Sequence, residues 1–168
     1  KPQEMDAAMS AGNVDAVLTW TPFVNNVKRV LGDRLAEFDG QPGEDFYFLV
    51  LGQQAWLTAQ PKVAERVMLA LVWAKEWIIA NPEEARTYMV TKFGVPPADI
   101  GPLMEKIRFS VDLPQALLSA LEAEIRWLEK KGSKGTPVAN SLDLVVAGPL
   151  EAAAPESVTI IRARSGKP

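Results

Sequence analysis

From Pro61 to Gly132 the apolar residues recur at three- and four-residue intervals, broken only where proline or glycine punctuates the chain. That period commits this stretch to a series of helices. Val63, Val67, Ala70, Leu71, Ala74, Trp77 and Ile78 share one face of a long amphipathic helix, with Lys62, Glu65, Arg66, Lys75 and Glu76 elsewhere around it. Asn81-Pro-Glu-Glu84 then combines an N-cap, a first-turn proline and two acids at the positive end of a helix dipole, and the helix it opens closes near Phe93-Gly94. Val95-Pro-Pro-Ala-Asp99 begins a shorter helix reaching Ile107. Arg108 to Asp112 is an extended break before Pro114, and Leu117, Leu118, Leu121, Ile125 and Leu128 mark a helix running to Lys131-Gly132. Gly132 to Pro137 reads as a surface loop, and Leu142 to Ala147 as a short element of either type. Ser157 to Arg162 is apolar enough to dock, ahead of a disordered tail at 163–168.

The first third of the chain is patterned differently. Met5, Ala8 and Met9 give a short helix between Gln3 and Ala11, closed by Gly12. Asp15 to Trp20 is a compact β-prone run, read as a core strand. Thr21 and Pro22 supply an N-cap and a first-turn proline for a helix whose stripe is Val24, Val27, Val30 and Leu31, ending at Gly32. Arg34 to Asp39 can form a strand, and Gly40-Gln-Pro-Gly-Glu-Asp45 is the densest turn cluster in this third, which places a hinge or domain crossing there. Charge agrees with a boundary: residues 1–44 hold four basic and seven acidic side chains, against fourteen of each in 45–168. Phe46-Tyr-Phe-Leu-Val-Leu51 is apolar at every position, as in a strand covered on both faces, and favours an α/β sheet. Residues 1–44 are therefore expected to form one part, and 45–162 a second with one strand and several helices.

Composition narrows the chemistry. The chain has no cysteine and no histidine, which removes thiol nucleophiles, imidazole bases, Cys/His zinc sites and disulfides. A net charge of −3 with no basic patch argues against a nucleic-acid partner. The longest unbroken apolar stretch, Val67 to Ala74, is far short of the roughly 20 residues that span a bilayer. Lys1-Pro2-Gln3-Glu4 lacks the apolar core of a signal peptide and reads like a chain entered midway.

Candidate constellations are few. Trp73 and Trp77 lie one helical turn apart and are read as core rather than as a ligand-stacking pair. Glu122 and Glu124 straddle different helix faces and read as solvated charges, while Glu83 and Glu84 are explained by capping. Gly40, Gly43 and Gly52 lack the spacing of a phosphate-cradling loop. Trp20-Thr21-Pro22-Phe23 stands apart, because it joins an expected strand to a helix at the kind of junction where open α/β sheets place ligands. A buried tryptophan beside an ordinary N-cap accounts for the same residues, and both readings stay open.

The order of pieces is informative: Gly12-Asn-Val-Asp-Ala16, then Trp20-Thr-Pro22, then Tyr47 to Leu51, then Trp77-Ile-Ile-Ala-Asn-Pro-Glu-Glu-Ala85, and finally Pro155-Glu-Ser-Val-Thr-Ile-Ile-Arg162. Taken together, from about Lys1 to Arg162, it resembles the nitrate/sulfonate/taurine-type substrate-binding proteins of bacterial ABC importers, a family that includes binders of thiamine pyrimidine precursors. The resemblance implies an α/β fold, the C-terminal portion of a two-lobed type II periplasmic-binding-protein-like clamp, helix-rich with few strands in this stretch. It also implies that 1–44 belong to the distal lobe and that the chain returns through a hinge to the first lobe. The implied activity is capture of a small anionic or zwitterionic organic molecule without catalysis, cofactor or metal. The implied setting is periplasmic or otherwise extracytoplasmic, with the membrane subunits of an ABC permease as partners. The site residues it implies are Thr19, Trp20, Thr21, Pro22 and Phe23: Trp20 packs on the ligand, the threonine hydroxyls hydrogen-bond its head group, and Pro22 and Phe23 shape the turn. Many relatives carry an acid where this chain has Thr21, which weakens the case for a ligand with an ammonium group. A ligand-sensing extracytoplasmic input domain of a signalling protein is the competing reading, and an enzyme of pyrimidine-precursor type is disfavoured by the missing histidine and cysteine. Standing alone, the chain is expected to leave strand edges unpaired and to dimerise or exchange segments; the alternative is that it belongs to a longer molecule.

Overall fold

A computed structural model describes residues 1–40, 46–132 and 140–162. The turn cluster after Gly40, the loop after Gly132 and the tail at 163–168 lie outside the described residues. Eight α-helices follow one another among the described residues: α1 (Met5–Ser10), α2 (Phe23–Leu31), α3 (Gln54–Ala59), α4 (Pro61–Ala80), α5 (Pro82–Phe93), α6 (Pro97–Lys106), α7 (Gln115–Lys130) and α8 (Gly148–Ala153). Short 3-10 turns occupy Pro2–Glu4, Gly32–Arg34, Ser141–Leu144 and Pro155–Ser157.

The helix-rich character read from the sequence is present, and the expected sheet is not. Residues 15–20, 35–39 and 46–51 are neither helix nor strand, and the β pairing among the described residues is a single parallel bridge between Leu113 and Val158. β-branched and aromatic residues describe a side-chain set that suits a pleated, half-buried surface; they do not supply the second strand that a ladder requires. The run at 46–51, expected to be covered on both faces, is largely exposed instead.

By its contacts the chain divides into two compact units, Lys1–Phe46 with Asn81–Arg108, and Tyr47–Ala80 with Phe109–Pro168. Where the sequence suggested one crossing near residues 40–45, the chain leaves the first unit after Phe46, re-enters it at Asn81 and leaves again after Arg108.

In the first unit α1 packs on α2, burying Val27 and Leu31. Val24 is half-buried and Val30 exposed, so the stripe read from the sequence is narrower than expected. α1 ends as its glycine predicts: Gly12 has φ +70, its N–H reaches Met9 O at 3.1 Å, and Asn13 N–H reaches Ala8 O at 3.0 Å, the paired bonds of a Schellman close. α5 and α6 form a second pair around Val95, Ile100 and Leu103, lined by Met89, Val90 and Met104. Gly94 makes the corner between them at φ +65. One tie between the two stretches of chain in this unit is Arg29 on α2, whose Nη1 donates to Asp99 Oδ2 at 2.9 Å at the start of α6.

In the second unit α4 packs on α8, with Val72, Leu150 and Ala154 at the contact and Met68, Val111, Leu113 and Val158 around it. Ala64 and Val72 are the buried positions of α4 and Met68 is half-buried beside them; of the expected stripe Val63, Leu71 and Ile78 are half-buried, while Val67, Ala70, Ala74 and Trp77 are exposed. α4 is apolar around most of its circumference, so sequence period alone does not select which face meets a neighbour. Trp73 and Trp77, expected in the core, lie on the outer side at 62% and 44% exposure. α8 itself opens with Gly148-Pro149, a start signal that the reading of 142–147 passed over. The C-terminal segment docks as its apolar content predicts. Leu113 N–H bonds Ser157 O at 2.8 Å, Thr159 N–H bonds Leu113 O at 3.1 Å, Gln115 Oε1 accepts from Ile161 N–H at 2.9 Å, and Ile160 is buried. Arg162 pairs with Glu151 at 2.6 Å, and that hydrogen bond and charge raise the guanidinium pKa above its ordinary value. Glu122, expected to be merely solvated, accepts from the buried Ser141 hydroxyl at 3.2 Å.

Two measurements follow from this packing. Leu150→Ala removes the knob between α4 and α8 and is expected to destabilise the protein by about 2–5 kcal/mol, whereas Trp73→Ala, on the open side of the same helix, should change stability by no more than about 0.5 kcal/mol. Urea titrations that ranked the two in the opposite order would place Trp73 back in the core. A Cβ at Gly94 meets no atom within 4 Å. Gly94→Ala therefore isolates the backbone penalty of the left-handed region, about 1–2 kcal/mol, and an unchanged denaturation midpoint would contradict the corner.

Candidate functional site

The residues singled out from sequence form one corner of the first unit, at the entry to α2. Trp20 O accepts from Val24 N–H and Pro22 O from Asn25 N–H, each at 3.1 Å, so the turn is bonded into the first turn of the helix. The Thr21-Pro22 peptide is cis. Pro22, not Thr21, occupies the N-cap position, and no side chain caps α2. The expected Thr21 cap is thus absent: helical geometry begins only at Phe23, which puts Thr21 one residue too far out. Thr19, Thr21, Pro22 and Phe23 are half-buried, and Trp20 remains 44% exposed. The Thr19 hydroxyl oxygen is shielded from solvent and has no hydrogen-bond partner among the described residues.

Around this turn three aromatic rings gather. Phe23 meets Trp20 edge to face, centroids 5.6 Å apart at 87°, and Phe46 lies nearly parallel to Trp20 at 6.4 Å and 25°, both favoured geometries for ring quadrupoles. Phe46 was read from the sequence as part of a strand and not as part of this site. Contact between rings twenty-six positions apart leaves no local signal in a sequence. A return of the chain is visible at Gly40, where a Cβ would meet Leu18 Cδ1 at 3.2 Å.

The electrostatics are set by what is already paired. Lys28 and Arg29, in the last turn of α2, are held by Glu37 at 2.7 Å and Asp99 at 2.9 Å. Lys1–Phe46 carries four basic residues (Lys1, Lys28, Arg29, Arg34) and eight acidic ones (Glu4, Asp6, Asp15, Asp33, Glu37, Asp39, Glu44, Asp45), a net −4. Among residues 19–23 the available groups are two hydroxyls, an indole N–H and aromatic faces, which can stack on and hydrogen-bond a small molecule but can move no proton at neutral pH. No group of three or more metal-ligating side chains occurs among the described residues, and no described helix is long and apolar enough to cross a membrane.

A shielded hydroxyl without a partner adds nothing to stability and carries a desolvation penalty of about 1–3 kcal/mol. Thr19→Val is therefore expected to leave the unfolding free energy unchanged or to raise it, as read by chemical denaturation; a loss above about 1 kcal/mol would show that the hydroxyl is bonded within the fold.

Compared with known proteins, no family model, no curated protein and no solved structure matches the chain.

Proposed function

We propose that this chain is the C-terminal portion of a solute-binding component of an ABC importer, a two-lobed type II clamp of the nitrate/sulfonate/taurine type, and that the Trp20 corner is its ligand contact. The observation that carries this reading is the corner itself: a half-exposed indole flanked by Phe23 and Phe46, with the shielded, unpartnered Thr19 hydroxyl next to it in the chain. A burial-driven tryptophan is expected to be covered, and a tryptophan serving only to brace a turn needs no unsatisfied hydroxyl as its neighbour. An aromatic face beside hydrogen-bond donors is the usual composition of a small-molecule contact. The order of motifs from Gly12 to Arg162 supports the family reading.

With Lys28 and Arg29 engaged in ion pairs, the polar groups that residues 19–23 offer to a ligand of the anionic or zwitterionic class are two hydroxyls and an indole N–H. Trp20 packs on its apolar body and the Thr19 and Thr21 hydroxyls bond its head group. The ligand is released unchanged, to the membrane subunits of a permease in an extracytoplasmic compartment, after closure of the clamp around it.

Native mass spectrometry of the protein with co-purified solute, followed by titration calorimetry, tests the assignment. Trp20→Ala is expected to weaken binding by about 2 kcal/mol, roughly 30-fold. Unchanged affinity would assign Trp20 to packing alone, and recovery of a chemically altered solute would make the protein an enzyme.

A further inference from the structure

The first unit is assembled from two helix pairs that lie far apart in the sequence, and each keeps an apolar core of its own. Val95, Ile100 and Leu103 are lined by Met89, Val90 and Met104, all of them within residues 89–104. Val27 and Leu31, the buried positions of α2, do not belong to that cluster. The tie at Arg29 is of another kind. Its Nη1 donates to Asp99 Oδ2 at 2.9 Å, and its Nη2 donates to Asn26 Oδ1 on the same helix. Arg29 stands in the last turn of α2 and Asp99 in the first turn of α6, so the pair joins the negative end of one helix dipole to the positive end of the other. Each charge is thereby favoured by its own helix as well as by its partner. The Asp99 side chain is 13% exposed and that of Arg29 48%, which leaves the guanidinium within reach of dissolved salt.

We propose that α5 and α6 undock from α1 and α2 as one body, with the helices of both pairs intact, and that the Arg29–Asp99 pair is the latch that sets how often they do so. Elements that share no apolar cluster open at lower cost than elements built around one core. A partly exposed ion pair moves such an equilibrium by up to about fivefold, and salt screens it. The docked fraction of the first unit is then a function of ionic strength.

The chain has no cysteine, so nitroxides attached through Val30→Cys on α2 and Glu105→Cys on α6, both exposed positions, report a single distance by pulsed electron–electron resonance. The labelled parent is expected to show a docked population and a minor one at longer distance, which grows about fivefold as sodium chloride rises from about 0.01 M to about 1 M. Arg29→Gln and Asp99→Asn should each enlarge the longer-distance population by about the same factor at low salt and remove its salt dependence. Combining them should add nothing further, because both break the same contact. Far-UV circular dichroism should stay at the parent value throughout. A parent distribution that does not change with salt overturns the latch, whatever the variants do. Indifference to both substitutions overturns it as well, and so does loss of helix in step with the longer distance, which would make the first unit one cooperative whole.

Discussion

A helix satisfies its backbone N–H and C=O groups from within its own segment, whereas a strand must obtain partners from elsewhere. That asymmetry governs this molecule. Its helices form wherever apolar period, caps and prolines agree, because nothing outside the segment is needed to close their hydrogen bonds. Its β-prone runs at 15–20 and 46–51 have comparable apolar content and yet remain irregular among the described residues. The cores are correspondingly small: α5 against α6 around Ile100, and α4 against α8 around Val72 and Leu150.

The legible part of the fold follows the same division. The boundaries at Gly12, Asn81-Pro82, Gly94 and Lys131-Gly132 could be read because a cap or a left-handed glycine is a property of a few adjacent residues. The docking of residues 157–162 was legible for a related reason, since an apolar terminus has few alternatives to lying on the nearest hydrophobic surface. What could not be read was pairing. The face that α4 turns toward α8 depends on Leu150, seventy-eight positions from Val72, and a helix apolar on several sides offers no internal reason to prefer one. Trp73 and Trp77 were misplaced for this reason and not through any error in the helical period.

The candidate site shows the same split. Trp20 to Phe23 were singled out from their position before a helix and Thr19 through the family resemblance, and Trp20 and Pro22 are bonded into the first turn of α2. The third ring, Phe46, and the pairing of Lys28 and Arg29 with Glu37 and Asp99 were invisible, because each joins residues that share no local pattern. Phe46 adds an aromatic wall to the corner, and the two ion pairs engage the cations at the far end of α2.

The threading of the first unit has a consequence for how the chain is made. Its opening forty-six residues are completed by α5 and α6, with Tyr47–Ala80 of the second unit intervening in sequence. At translation rates of roughly 5–20 residues per second, α1 and α2 are synthesised several seconds before Asp99 exists to receive Arg29. During that interval the nascent chain carries an apolar helix pair and an aromatic corner without the elements that finish them, so its exposure to premature association is set by the order of synthesis as much as by the strength of the final contacts.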